Sequence, residues 1–316
     1  MIAFTICSNN YLAKAKVLLD SIKSRENATV FLFIADLKSE NINYGSLGFD
    51  KIIFPSELQI QNLQWQLENY NIIEFNTALK GVAFEYIFKY THSELVYYFD
   101  PDIKTYKKLG DFEPYFNDKS ILLTPHVLSP LPLDGFFPEE NLFLNHGIYN
   151  LGFLGLKRGP TTFDFLNWWV SRLSEKCIID LKNGYFTDQL WFNLVPQFFK
   201  DVEILTHPGF NVAYWNLHER EISFNDGCPK VNTGHDLFFY HFSGFDKNLK
   251  MLTPGEMPRY NFYKKPNLLP LYNDYLNNLN NNLYLQQTKI SYYNGLYPLK
   301  KKQLTYLQRI IRRLKH

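Results

Sequence analysis

Short apolar runs alternate with stretches of helical period through the first half of the chain, a pattern accommodated by a largely parallel sheet covered by helices. Ala3 to Cys7, Thr29 to Ala35, Lys51 to Phe54, Leu95 to Phe99 and Ser120 to Thr124 read as strands. Between them, Tyr11 to Ser24 carries Leu12, Ala15, Leu18, Leu19 and Ile22 as a helical stripe, and Thr77 to Tyr90 reads as a second helix. Ligands of open α/β sheets sit beyond the carboxyl ends of the strands. Two polar tips fall there: Cys7-Ser8-Asn9-Asn10-Tyr11 after the first strand, and Asp100-Pro101-Asp102 after Leu95 to Phe99.

The second tip has two readings. Pro101 cannot donate to a sheet ladder and restricts the residue before it, so the strand must turn here, and an Asp-Pro-Asp turn needs no further purpose. The same turn can aim two carboxylates at one point, and hard cations such as Mg²⁺ and Mn²⁺ take one or two carboxylates together with substrate phosphates. The first tip offers amides, a hydroxyl and an aromatic ring to a nucleobase, or it caps the next helix. Lys80, on the helix preceding the acidic turn, either reaches a diphosphate or is a solvated helix lysine.

Composition narrows the partners. A chain of 316 residues, 46% hydrophobic and 17% aromatic, has material for a large packed core, and a net charge of +2 gives no footprint for nucleic acid. Cys7, Cys177 and Cys228 lie far apart without Cys-x-x-Cys spacing, which argues against a zinc site or a disulfide framework and for a reducing cytoplasm. The start of the chain lacks the charge and length of a signal peptide, and no apolar stretch approaches the ~20 residues of a membrane span.

The second half contains Asn150-x-Gly152, Asp188-Gln189 and His241-x-x-Gly244-x-x-Lys247. With Asp100-x-Asp102 upstream, this series resembles the metal-and-diphosphate signature of the glycogenin and bacterial lipopolysaccharide galactosyltransferase family, glycosyltransferases of the GT-A fold. The likeness runs from near the N-terminus to about Lys250. It implies an α/β GT-A fold, a Rossmann-like mixed, mostly parallel sheet flanked by helices with a C-terminal helical extension. It also implies roles. Asp100, Asp102 and His241 would bind Mn²⁺ or Mg²⁺, Gly244 would let backbone approach the phosphates, and Lys247 would neutralise them. Asp188 and Gln189 would lie beneath the donor sugar as the catalytic pair, with Asn150 and Gly152 in the sugar pocket and Cys7, Ser8, Asn9, Tyr11 and Lys80 on the nucleotide. Asn248-Leu249 stands where a Pro-Trp commonly follows the lysine. The segments Leu123-Thr124-Pro125-His126, His207 to Asn216 and His241-Phe242-Ser243-Gly244-Phe245 resemble instead a separate bacterial group of polysaccharide-associated transferases.

Each residue also has a plain structural reading. His241, beside Phe242 at the end of an apolar run, fits a hydrogen-bonded core histidine, and Asp188 fits a helix cap. Trp168, Trp169 and Trp215 read as core, and His126 as a loop-fixing residue. What favours sugar transfer is the joint occurrence of these motifs in order. The competing classes are a sugar-nucleotide nucleotidyltransferase, which would show a Gly-rich basic loop after the first strand, and a non-catalytic glycan-binding relative of the fold.

Three regions are expected: a catalytic domain over 1–250, an irregular and helical extension over 251–298 interrupted by prolines and an asparagine run, and a basic amphipathic helix over 299–316. Leu304, Leu307, Ile310, Ile311 and Leu314 share one face of that last helix, with Lys300, Lys301, Lys302, Arg309, Arg312, Arg313 and Lys315 around it. It either packs on the protein or lies on anionic lipid at the inner face of the cytoplasmic membrane, where each basic side chain adds about 1 kcal/mol. The expected function is a peripheral, metal-dependent transferase using a nucleotide-sugar, UDP-sugar favoured, with a surface glycan as acceptor (lipopolysaccharide, O-antigen or capsule). Deleting Lys300 to His316 should release the protein from phosphatidylglycerol vesicles in a co-sedimentation assay while transfer to a soluble acceptor persists. Unchanged vesicle binding would remove the membrane reading.

Overall fold

A computed structural model of the chain describes residues 1–282 apart from 233, 253, 255 and 256. The basic segment over 299–316, and the part of the extension beyond Asn282, lie outside the described residues. The first half builds β1 (Ile2–Cys7), α1 (Leu12–Lys23), β2 (Thr29–Ile34), β3 (Lys51–Ile53), α2 (Leu63–Asn69), α3 (Ile72–Tyr90), β4 (Leu95–Phe99), β5 (Ile103–Thr105) and β6 (Ile121–Leu123). The second builds α4 (Glu140–His146), β7 (Phe153–Lys157), α5 (Pro160–Lys176), β8 (Ile179–Asp180), β9 (Tyr185–Phe186), α6 (Val195–Phe198) and β10 (Val202–Ile204). β11 (Ile222–Asn225), β12 (Cys228–Val231), β13 (His235–Asp236), β14 (Phe239–His241) and α7 (Leu269–Asn281) complete it.

The main sheet has seven strands in the order β10-β6-β7-β4-β1-β2-β3. All neighbours run parallel except β7, which enters antiparallel between β4 and β6. The result is the mixed, mostly parallel, helix-flanked sheet expected from the sequence, with α7 as its C-terminal helix. β4 shows why its apolar run does not alternate: all five residues are buried, Val96 and Tyr98 on one face of the sheet and Leu95, Tyr97 and Phe99 on the other. On the first face Phe4 meets Phe84 of α3 edge-on at 4.7 Å, with Phe33 and Tyr98 at 5.4 and 5.2 Å. α3 and α5 pack closely there because Gly81 faces Trp169 and Val170; a Cβ on it would sit 2.7 Å from Val170 Cγ2. Trp169 and Trp215 are core, as the sequence suggests, whereas Trp168 is only partly buried.

One boundary departs from the sequence reading. Helix α3 begins at Ile72, five residues before Thr77, because the Asn71 side chain accepts hydrogen bonds from the N–H groups of Ile73 and Glu74 (2.9 and 3.0 Å) while the Glu74 carboxylate accepts one from the Asn71 N–H (2.8 Å). The extra turn puts Ile73, Asn76, Thr77 and Lys80 on one helical face. The segment after Met251, read as an extension, contributes to the core: Tyr275 of α7 stacks on Phe242 at 3.8 Å, and Leu271, Tyr272 and Leu279 join Leu12, Ala15 and Tyr240 in one cluster. None of the described helices is long and apolar enough to cross a membrane. Replacing Asn71 by Ala removes the side-chain acceptor of two N–H groups in the first turn of the helix and should lower stability by about 1 kcal/mol, read as a fall in urea midpoint at unchanged slope.

Candidate metal and diphosphate site

The site starts from the turn that Pro101 forces. The Ile103 N–H donates to the Asp100 carbonyl at 3.0 Å, closing a four-residue turn, and the chain leaves it as β5. β5 pairs antiparallel with β14 in a register that sets Ile103 opposite His241 and Lys104 opposite Tyr240. The Phe242 N–H donates to the Asp102 carbonyl at 2.9 Å and the His241 N–H to the Val212 carbonyl at 2.8 Å, so the histidine is fixed beside the turn. His241 Nε2 lies 3.1 Å from Asp102 Oδ1 and 3.8 Å from Asp100 Oδ2. One ligand atom from each of the three residues falls within 4.8 Å of the others. The turn is thus both a strand-closing turn and the frame of a carboxylate–carboxylate–imidazole cluster.

Gly152 makes the close approach possible. Its carbonyl accepts from the Asp100 N–H at 2.7 Å, and a Cβ at this position would stand 2.6 Å from His241 Cε1. Two oxygens and one nitrogen, all on one side, suit Mn²⁺ or Mg²⁺ with positions left for phosphate oxygens. Burial pushes the Asp102 carboxyl up, but the His241 ring and the Lys14 ammonium, 3.7 Å from Oδ2, outweigh it and hold the group below the usual carboxylate range. Asp102 therefore stays ionised and ready to ligate.

Lys80 links this cluster to the second acidic motif. Buried on α3, its Nζ donates to the Leu151 carbonyl at 2.9 Å, lies 3.0 Å from Asp188 Oδ2 and 3.9 Å from Asp100 Oδ1, and sits over the Tyr98 ring at 4.8 Å. Burial alone would lower the Lys80 ammonium; Asp188 and Asp100 reverse that and raise it above its ordinary range. Burial raises Asp188 as well, against the pull of Lys80. The lysine's charge is thus already matched by two carboxylates, which differs from an ammonium waiting for a diphosphate. Asp188 does not cap the turn that follows it. Its neighbour Thr187 holds a φ of 45°, unusual for a β-branched residue and of the kind that functional sites retain. The Gln189 Nε2 donates to the His146 carbonyl at 2.7 Å, and among the described residues its Oε1 has no partner.

A crevice of about 600 Å³ opens at the carboxyl ends of β1 and β4, and Asp100, Asp102, Lys80, Asp188 and Gln189 all line it. Cys7, Ser8 and Tyr11 line it too, Ser8 accepting from Asn76 Nδ2 at 3.0 Å. Asn9 does not. Its N–H donates to Asp36 Oδ2 (3.0 Å), its Nδ2 to the Leu37 carbonyl (3.0 Å), and its Oδ1 accepts from Tyr44 (2.7 Å), so this side chain ties β1 to the end of β2 and Asn10 faces the crevice instead. Asn150 and Gly152 are at the rim, but the Asn150 amide is engaged: Oδ1 accepts from the Gly152 N–H at 3.1 Å and faces His241 Nδ1 at 3.3 Å. Gly244 and Lys247 lie on the loop after β14, outside the lining; Gly244 takes a φ of 67°, and the exposed Lys247 has no hydrogen-bond or ion-pair partner among the described residues. Asn76, Thr77 and Tyr98 line the crevice without having been singled out. The three-and-four spacing of Asn76, Thr77 and Lys80 in an otherwise apolar helix is the signal that would have found two of them. Replacing Gly152 by Ala should displace the His241 ring and weaken Mn²⁺ binding about 10- to 100-fold, measured by the free-Mn²⁺ signal in electron paramagnetic resonance.

No family model matches the chain. Among curated proteins it is similar to the uncharacterized protein YfnF of Bacillus subtilis (strain 168), 33% identical over 157 residues that make up 48% of this chain and 50% of that one. It is also similar to YfnD of the same organism, 22% identical over 247 residues, 76% of each. The chain thus spans about half the length of the first of these relatives. Among solved structures it is similar to the galactosyltransferase LgtC in complex with donor and acceptor sugar analogues, with a TM-score of 0.49 and 14% identity over 88% of this chain and 95% of that one. Mouse xyloside xylosyltransferase 1 gives 0.46 and 13% over 77% and 98%, and the glycosyltransferase GlyE of Streptococcus pneumoniae TIGR4 gives 0.44 and 14% over 94% and 65%.

Proposed function

We propose that this chain is a metal-dependent glycosyltransferase that moves a sugar from a nucleoside-diphosphate donor, a UDP-sugar by preference, to a bacterial surface glycan. The observation that carries the reading is the gathering of Asp100, Asp102 and His241 within 4.8 Å, with the two aspartates lining the crevice. Breaking a glycosidic bond to a diphosphate leaves negative charge on the departing phosphate. A divalent cation held by these three residues would stabilise that charge as a Lewis acid.

The remaining residues divide the donor between them. Asn10 and Tyr11 offer an amide and a ring to the base at the end of β1. Lys80 holds the Asp188 carboxylate in place, so that a negative group stays near the bound sugar where positive charge develops at the anomeric carbon. Gln189, anchored through Nε2, turns an unfilled Oε1 to a sugar hydroxyl. Retention of anomeric configuration rests on the family resemblance of the motifs, and the choice of a surface glycan on the likeness of residues 123–126 and 207–216 to polysaccharide-associated transferases. The location proposed is the inner face of the cytoplasmic membrane, on the strength of the basic C-terminal sequence.

A panel of UDP- and GDP-sugars incubated with the protein and Mn²⁺, scored for donor hydrolysis, tests the reading. Asp102→Ala should lower turnover on the order of 10²- to 10³-fold with circular dichroism unchanged, and excess chelator should do the same to the parent chain. Undiminished turnover in either condition would sink the metal mechanism.

A further inference from the structure

Helix α3 carries two working stripes. Ile73, Asn76, Thr77 and Lys80 line the crevice, whereas Val82, Glu85, Tyr86 and Lys89 line a second groove of about 370 Å³. At about 100° per residue the second stripe lies roughly half a turn round the helix from the first and nearer its C-terminal end, so the groove is separate from the crevice. Its remaining residues come from Glu57 to Gln59, after β3, and from Phe163 in the first turn of α5. Glu85 is partly buried, which raises its carboxyl above the ordinary range, and among the described residues it has no hydrogen bond or ion pair. Glu57 is engaged through Oε2 alone, accepting the Phe54 N–H at 2.9 Å. Lys89 Nζ donates to Gln59 Oε1 at 3.1 Å and leaves the Gln59 Nε2 with no partner among the described residues. Tyr90 and Phe163 present exposed rings beside these polar groups.

The combination selects a class of ligand. An apolar molecule would shut the Glu85 carboxylate away from water with nothing to pair it. A phosphate or a carboxylate would meet like charge on Glu57 and Glu85. A cation would find ring faces already covered, since the Lys89 ammonium lies 5.3 Å over Tyr90 and the Lys51 ammonium 4.9 Å over Tyr86. A neutral sugar meets every group in the groove. Its hydroxyls donate to the two carboxylates and accept from Gln59 and Lys89, while the C–H face of its ring packs on an aromatic side chain.

We propose that this groove is a second carbohydrate site, which holds a neutral stretch of glycan without acting on it. That the glycan is the growing acceptor rests on the proposed function, while the binding itself does not. Holding a long acceptor at a place distinct from the crevice raises the effective concentration of its reacting end there, without any new contact to the donor.

The test titrates the full chain with short neutral oligosaccharides of glucose, galactose, mannose and N-acetylglucosamine, with UDP and Mn²⁺ present, and reads binding by saturation-transfer NMR. At least one of them should bind. Tyr90→Ala, which removes an exposed ring, and Glu85→Leu, which removes the unpaired acceptor, should each weaken that binding about 10-fold. Donor hydrolysis should stay as in the parent chain, because neither residue lines the crevice. E85L should also raise the urea midpoint, since an apolar group replaces a partly buried carboxylate that has no partner. If E85L does not fold, Y90A decides. Binding of none of these sugars, undiminished binding in the folded variants, a lowered urea midpoint in E85L, or donor hydrolysis lost in step with sugar binding would each overturn the second site. A parent chain that binds sugar through Tyr90 and Glu85 but hydrolyses no donor contradicts the proposed function instead.

Discussion

Three residues of antiparallel pairing between β5 and β14 hold the candidate site together. Had the register slipped by one residue, His241 would point to the opposite face of the ribbon, and the two aspartates would have no third ligand. Every other feature of the centre follows from that pairing. Pro101 supplies the turn into β5, α7 covers β14 through the Phe242–Tyr275 stack, and the single antiparallel strand β7 brings its own start, with Gly152, to the edge where the parallel strands end.

Charge at the crevice is partly offset before any ligand arrives, with two ammonium groups standing against three carboxylates. Lys80 stands between Asp188 and Asp100, and Lys14 beside Asp102. Removing one member of such a buried set leaves its partners uncompensated, at a cost of about 3–5 kcal/mol, so these residues constrain one another as much as they constrain a substrate. The aspartates of the metal cluster and the Asp188–Gln189 motif are thereby coupled through one ammonium group. Motifs that are far apart along the chain share a single electrostatic unit.

Much of this was legible in the sequence, for a physical reason. Strand runs of one hydropathy and helices of one period are local signals, and β1, α1, β2, β3, β4 and β6 fall within a residue or two of where those signals put them. The acidic turn was legible because Pro101 permits little else. What stayed hidden depends on contacts between distant residues. The start of α3 is the exception: Glu74, three residues after Asn71, marks a capping box that is a local signal, and it overrides Thr77 as the start. Asn9 and Asn10 are equivalent on paper, and only Asp36 and Tyr44 decide that Asn9 turns inward. Lys80 reads as an ordinary helix lysine because neither of its carboxylates is near it in sequence. Asn150 reads as a ligand for sugar because the rings of His126 and His241, far on either side in the chain, are not visible as its partners.

The separation of the ligands along the chain has a consequence for biosynthesis. Asp100 and Asp102 leave the ribosome long before His241, and β5 has no partner until β14 emerges. A nascent or prematurely ended chain therefore carries a pair of carboxylates on an unpaired strand and no complete cation site. The three groups that could hold a metal would come together only when β14 has docked on β5, so the local geometry depends on a late long-range pairing rather than on the acidic turn alone.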